Sequence, residues 1–298
     1  MSAFPTYTPL ELEAKYHQLL VMVDGMKTTT VNVRRYQNND DKYKNNPDAG
    51  NKEALVKKDL LVGRMVTEAN RMKANAAATA KGKKAPYKTA NLEDDFEMKF
   101  SGALAQLSIP QYLISKCPAM MQVHSGKGSI DEIATCLHLI AVFGLYDTKK
   151  FGTDSAAGVR DYCDKYIGLD CNGFVGNYAR HIRAGKIPDS LISSYVAKDK
   201  LRTKIEDVMP NDVLVWPDFS HIAIVDSIQR MGTGRDAKPA RDCVIVESTG
   251  SNPSGGSNTT KGGLQNSTYS IRSVTGNLFK VERPKNGPLN NVYIARLK

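Results

Sequence analysis

The stretch whose reading decides the fold is DVLVWPDFSHIAIVDSI, residues 212 to 228. Two β-branched runs, 212–216 and 221–228, flank the turn residues Pro-Asp-Phe-Ser, which is how short strands separated by a turn are written. Comparable runs follow at 242–248 (DCVIVES) and 291–297 (NVYIARL), again bounded by Pro and Gly clusters. From about residue 205 onward the chain therefore reads as strands.

Upstream the periodicity is different. Residues 9–23 (PLELEAKYHQLLVMV) and 53–78 (EALVKKDLLVGRMVTEANRMKANAAA) repeat apolar side chains every three or four positions, as amphipathic helices do. The polar, Asn-rich stretch 37–52 between them reads as a loop. Residues 129–146 open on Ser-Ile-Asp-Glu, a capping box with Ser129 as cap and Glu132 three positions on. Helices first and strands afterwards predict an α+β fold with a largely antiparallel sheet. The segment 73–91 loses its periodicity and gains Lys, Ala and Gly, so it predicts a boundary between a helical N-terminal region, 1–91, and a second domain, 92–298, with its core at 154–298. There is no internal repeat.

At 298 residues the chain is long enough for one large core or two smaller ones, and its 41% hydrophobic and 24% charged composition is that of a globular protein. A net charge of +10 is compatible with an anionic partner, but the lysines are scattered and the densest cluster, 81–88, falls in the expected connection. The N-terminus carries no basic region followed by an apolar one, and no run of about eighteen apolar residues occurs. The expectation is a chain made in the cytoplasm without a Sec signal. Five cysteines, 117, 136, 163, 171 and 243, contain no Cys-x-x-Cys pair, which argues against a zinc ribbon and against a full disulfide framework. Cys136 and Cys243 sit in apolar runs and read as core.

Cys171 is different. In GLDCNGFVGNYARHI, residues 168–182, Asp170 is placed to cap a helix that starts at Cys171, with Phe174, Val175, Tyr178 and Ile182 on one apolar face. Gly173 and Gly176 are poor helix formers, so another backbone is expected to approach closely. A thiol at a helix N-terminus sits in the positive end of the macrodipole, which favours the thiolate, and the unpaired backbone N–H groups there suit an oxyanion. A Cys163–Cys171 disulfide is the alternative for this thiol.

A nucleophilic thiol needs a base. His17 lies on a predicted surface helix, His124 in a Gly/Ser loop and His138 in an apolar helix, while His181 is ten residues along the helix from Cys171, about 15 Å at 1.5 Å rise. His221 instead begins a strand directly after a turn. If the strands 221–228 and 242–248 form a hairpin symmetric about Gly234, His221 pairs with Glu247, and the acid can accept the imidazole Nδ1 proton. Singly, each residue has a structural reading: a buried thiol, an edge histidine, a solvated strand end. Together, in this order, they predict a catalytic site.

These residues also carry a resemblance. GLDCNGFV is similar to the DCSGFV signature of the NlpC/P60 and CHAP cysteine peptidases, and PNDVLVW…HIAIVDSI resembles their GDLVFW…HVAIV block, the likeness covering about 160–250. It implies a papain-like catalytic domain, Cys171 as nucleophile, His221 as general base and acid, and Glu247 as the residue that orients it. Asn172 stands where the family has Ser, and Asn211 where it has Gly. The implied activity is hydrolysis of amide bonds in peptidoglycan stem peptides, by an endopeptidase or amidase acting through a thioacyl enzyme, with Asn172, Trp216 and Ser220 binding substrate and no metal or cofactor. The Gly/Ser/Asn-rich segment 249–268 is expected either to wall the cleft or to be a loop. Expected partners are the stem peptides, an inhibitor or immunity protein and a secretion apparatus, with no nucleic acid and no transmembrane segment. Action in the periplasm or cell wall then requires signal-independent delivery, as an antibacterial effector or a phage-type lysin. The open alternatives are a deamidase or acyltransferase acting on a protein or lipid, and a basic binding module without catalysis.

Overall fold

The computed structural model describes residues 7–24, 27–37, 51–89, 108–229, 241–250, 262–284 and 286–298. Its helices are α1 (Pro9–His17), α2 (Asn51–Thr79), α3 (Ile109–His124), α4 (Ile130–Val142), α5 (Thr148–Phe151), α6 (Ser155–Tyr166) and α7 (Cys171–His181). The strands are β1 (Leu19–Asp24), β2 (Lys27–Val31), β3 (Asp212–Val215), β4 (Ile222–Ile228), β5 (Arg241–Thr249), β6 (Gly263–Thr275), β7 (Leu278–Glu282) and β8 (Leu289–Arg296). By internal contacts the chain forms two compact units, one of Met1–His17, Val33–Asn38 and Gly168–Lys298, the other of Gln18–Asn32 and Asn39–Ile167. Residues from the beginning of the chain thus belong to the same unit as the Cys171 helix and the later strands.

In that first unit β3 to β8 pair antiparallel in sequence order, and β8 returns to β3 to close a barrel. This corrects the expected papain-like domain of helices followed by an antiparallel sheet, preceded by a helical N-terminal region. The reason lies in β6 and β7, which fill the gap between β5 and β8 and leave no edge strand. The last part of the segment expected to wall the cleft or to be a loop is accordingly strand: β6 starts at Gly263, while 251–261 lies outside the described residues.

Alternation fills the barrel. Leu214, Ala223, Val225, Cys243, Ile245, Tyr269, Ile271, Phe279, Val281, Val292 and Ile294 form its packed interior. The intervening Val213, Val215, Ile222, Ile224 and Val246 are also fully buried, so β3, β4 and β5 are apolar on both faces and read as near-continuous β-branched runs. Within the unit, α1 and α7 pack against β4 and β5 and supply the outer cover.

The second unit joins the β1–β2 hairpin to α2, α3, α4, α5 and α6. The helix expected over 9–23 ends at His17, and β1 begins at Leu19 because Leu19, Val21 and Val23 alternate inward while Leu20 faces out. The Ser129 capping box forms as its sequence predicts, with Ser129 accepting from the Glu132 backbone and Glu132 bonding back to the Ser129 N–H at 2.7 Å. His124 is not in a loop but ends α3, buried, with its Nδ1 2.9 Å from Met120 O and its Nε2 3.0 Å from Tyr162 Oη. Burial pushes its pKa down to about 4, so it is neutral at pH 7 and structural. None of the five cysteines is in a disulfide, which removes the Cys163–Cys171 pairing.

Candidate active site

The nucleophile candidate is placed by its helix. Asp170 is in extended conformation and its carboxylate accepts the Gly173 N–H, which ends the preceding loop and starts α7 at Cys171. Cys171 to Ala179 are all buried, with Phe174 and Val175 at zero exposure. The close approach expected at the helix glycines occurs at Gly176, where a Cβ would lie 2.5 Å from the Pro188 N. Tyr178 Oη donates to Asn211 Oδ1 at 2.6 Å, tying α7 to the turn before β3. Asn211 has φ 71°, which explains why Asn can stand where the resembling family uses Gly: both tolerate the left-handed region.

His221 is the last residue of the turn joining β3 to β4. Trp216 N–H donates to His221 O at 3.1 Å and Phe219 N–H to Trp216 O at 2.9 Å, while Asp218 Oδ1 accepts from Ser220 N–H at 3.1 Å and Ser220 Oγ at 2.7 Å. Phe219 sits at φ 56°, a left-handed conformation that costs a bulky residue energy and is held by this turn. Ser220, expected to bind substrate, thus spends its hydroxyl on the turn. Trp216 lies edge-on to His221, with ring centroids 4.7 Å apart.

His221 and Glu247 meet: His221 Nε2 is 2.6 Å from Glu247 Oε2. The pairing differs from the symmetric hairpin. Ile224 opposes Val246 and Val225 opposes Ile245, and continuing that register sets Glu247 opposite Ala223, two residues from the expected partner. Strand side chains alternate with period two, so a shift by two keeps Glu247 on the face shared by His221, Ala223 and Val225. The nitrogen used is also the other one. Nε2 faces Glu247, leaving Nδ1 as the ring atom free of that bond.

Two further residues complete the cluster, and nothing in the sequence reading singled them out. Tyr269 Oη, on β6, donates to Glu247 Oε1 at 2.6 Å. Arg283, just beyond β7, donates from Nη2 to Glu247 Oε2 at 2.6 Å and to Thr249 Oγ1 at 3.1 Å, and from Nε to Tyr269 Oη at 2.7 Å. Its guanidinium carbon stands 4.8 Å over the Trp216 ring. Burial opposes ionisation of Glu247, but the bond and charge of His221, the charge of Arg283 and the Tyr269 bond together hold its pKa at about 2. An anionic Glu247 can only accept, so Nε2 carries the proton it receives. The 3.1 Å approach of Arg283 Nη2 to His221 Nε2 is then the third side of a triangle in which two donors converge on one oxygen.

Asn172, the remaining expected substrate contact, donates from Nδ2 to Ser190 O at 2.6 Å, and its buried Oδ1 has no partner among the described residues. Also among the described residues, no cluster of His, Cys, Asp and Glu is arranged to hold a metal ion, and no helix is long and apolar enough to cross a membrane. No protein-family model, curated protein or solved structure matches the chain.

Proposed function

We propose that the protein is a cysteine hydrolase that cleaves amide bonds in peptidoglycan stem peptides through a thioacyl enzyme. The observation that carries the reading is the His221–Glu247 bond at 2.6 Å, which dedicates Nε2 to an anion and leaves Nδ1 as the base, in a unit whose helix α7 begins at a thiol and packs on β4, which directly follows His221, and on β5, which carries Glu247. Cys171 gives its proton to His221 Nδ1 and attacks the scissile carbonyl. His221 protonates the leaving amine, and water, deprotonated by the same nitrogen, releases the acyl group. Glu247 stabilises the imidazolium formed in both halves, and the N-terminus of α7 favours the charge on sulfur and oxygen.

The stem-peptide substrate is supported by the resemblance of 168–175 and 210–228 to the NlpC/P60 and CHAP blocks, and a charge of +10 suits anionic wall polymers. Mass spectrometry of purified peptidoglycan incubated with the protein is expected to find new muropeptides, which Cys171→Ala does not produce. An unchanged digest, with Cys171 still reactive, would redirect the assignment to a protein or lipid substrate. In the same sense, protein sent to a Gram-negative periplasm by an added signal peptide should lyse cells that tolerate it in the cytoplasm. Equal toxicity in both compartments would contradict a wall target.

A further inference from the structure

Tyr195 ends the 3₁₀ turn Ile192–Tyr195 and is 1% exposed, and its hydroxyl has no hydrogen-bond partner among the described residues. Leaving a phenol O–H buried and unpaired is costly, and a Phe at this position would avoid the cost. Such a hydroxyl is open to a partner that arrives with another molecule.

The position identifies that partner. The segment leading to Tyr195 runs along the start of α7: Asn172, next to Cys171, donates to Ser190 O at 2.6 Å, and Pro188 abuts Gly176. Lys186 Nζ lies 5.3 Å from the Tyr195 ring centroid, and the turn packs against β3. Burial foremost, then the negative charges of Cys171 and Asp170, raise the phenol's pKa, so the group stays an O–H donor.

We propose that Tyr195 is a further catalytic residue, whose hydroxyl donates a hydrogen bond to the substrate carbonyl oxygen as Cys171 attacks; this rests on the reading of Cys171 as the nucleophile. The thiolate sulfur forms the S–C bond and the carbonyl π pair moves to oxygen, where Tyr195 Oη–H meets it. When that pair returns, the C–N bond breaks and the amine leaves with the proton carried by His221. Tyr195 keeps its own proton throughout.

Two probes of Cys171 separate the inference from the reading beneath it. Acylation by p-nitrophenyl acetate passes through an oxyanion, with p-nitrophenolate as leaving group, whereas alkylation by iodoacetamide displaces iodide and forms none. In Tyr195→Phe the acylation burst should slow by about 10²-fold, while alkylation of Cys171 changes less than about twofold and the melting temperature holds or rises. A Tyr195→Phe protein that acylates at the native rate overturns the inference and leaves the hydrolase reading standing. A native protein in which Cys171 neither acylates nor alkylates ahead of the other cysteines overturns both. Should Tyr195→Phe not fold, 3-fluorotyrosine in place of Tyr195, isosteric and a stronger donor, should quicken acylation, and an unchanged rate overturns the inference.

Discussion

Glu247→Gln is expected to lower stability by roughly 3 kcal/mol and to slow acylation of Cys171 by roughly 10²-fold. The stability loss is the larger surprise, because a Gln fits the space and offers an oxygen. In the native site Glu247 neutralises Arg283, whose side chain is 14% exposed, and also accepts from Tyr269 and His221. The amide leaves the guanidinium buried without a counter-charge, and it leaves Tyr269 Oη, which already accepts from Arg283 Nε, facing a donor. Catalysis suffers less than it would from the wrong tautomer. Arg283 demands an acceptor where His221 also points, so the amide oxygen is held toward both and Nδ1 stays the base.

Adding Arg283→Met should therefore split the two properties. Stability should recover in part, because the unpaired cation is gone, while activity should fall further, because the amide can now turn its NH₂ to His221 and put the proton on Nδ1. The pH dependence gives an independent check. Glu247 has a folded pKa of about 2 against an ordinary 4.5, so its contribution is present in full above about 4.5 and is lost as the pH falls through about 2. Glu247→Gln should lack that acid-side loss. A Gln variant with native stability at pH 7 and an unchanged acid limb would remove Arg283 from the charge balance of the site. Denaturant titration from pH 2 to pH 7 measures both.

Why the acid could be found from the sequence and its companions could not is a matter of parity and partners. Symmetry about Gly234 misplaces the register by two residues, with an irregularity between Val225 and Ser227, yet an even shift keeps the same face and so the same neighbour. A shift by one would have turned Glu247 away from His221. The runs β3, β4, β5 and β8 were legible because β-branched residues crowd them, and the start of α7 because Asp170 is a cap with an apolar face behind it. By contrast β6 places the polar run Gln265, Asn266, Ser267 and Thr268 between its buried Leu264 and Tyr269, so its composition reads as loop and barrel closure is invisible. Arg283 and Tyr269 are functional neighbours only once β6 and β7 are in place. Tyr195 lies on a short turn with no periodicity at all.

The contribution of residues 33–37 was illegible for a related reason: they bond to loops and strand ends rather than to a strand of their own. A chain beginning at Asn39 is nevertheless expected to lose cooperative unfolding and the acylation burst together. Arg34 O accepts from Leu264 N–H at 2.8 Å, Arg35 O accepts from Leu169 N–H at 3.0 Å, and Gln37 N–H donates to Leu169 O at 3.1 Å. Leu169 stands immediately before the cap Asp170, and its carbonyl also accepts from Ser248 Oγ at 2.6 Å, beside Glu247. The strap therefore holds the loop that presents Cys171 against the strand that presents the acid. It comes so near that a Cβ on Gly168 would lie 2.3 Å from Arg35 O. The deletion removes α1 as well, exposing Phe174, whose ring packs edge-on to the fully buried Tyr16 at 6.2 Å, and freeing Asn266 from Glu13. Each lost aromatic burial is worth about 1.5–3 kcal/mol, and with the orphaned amides the sum approaches the roughly 5–15 kcal/mol that holds a whole domain. Circular dichroism melting and the p-nitrophenolate burst read the outcome, and a 39–298 chain that melts and acylates like the full chain would show the strap to be dispensable. Gly168→Val is the milder form of the experiment. It leaves every residue of the strap in place but forces it off the loop, so it should keep a melting transition, at lower temperature, while the burst slows because Cys171 loses the position that the proposed proton transfer to His221 requires.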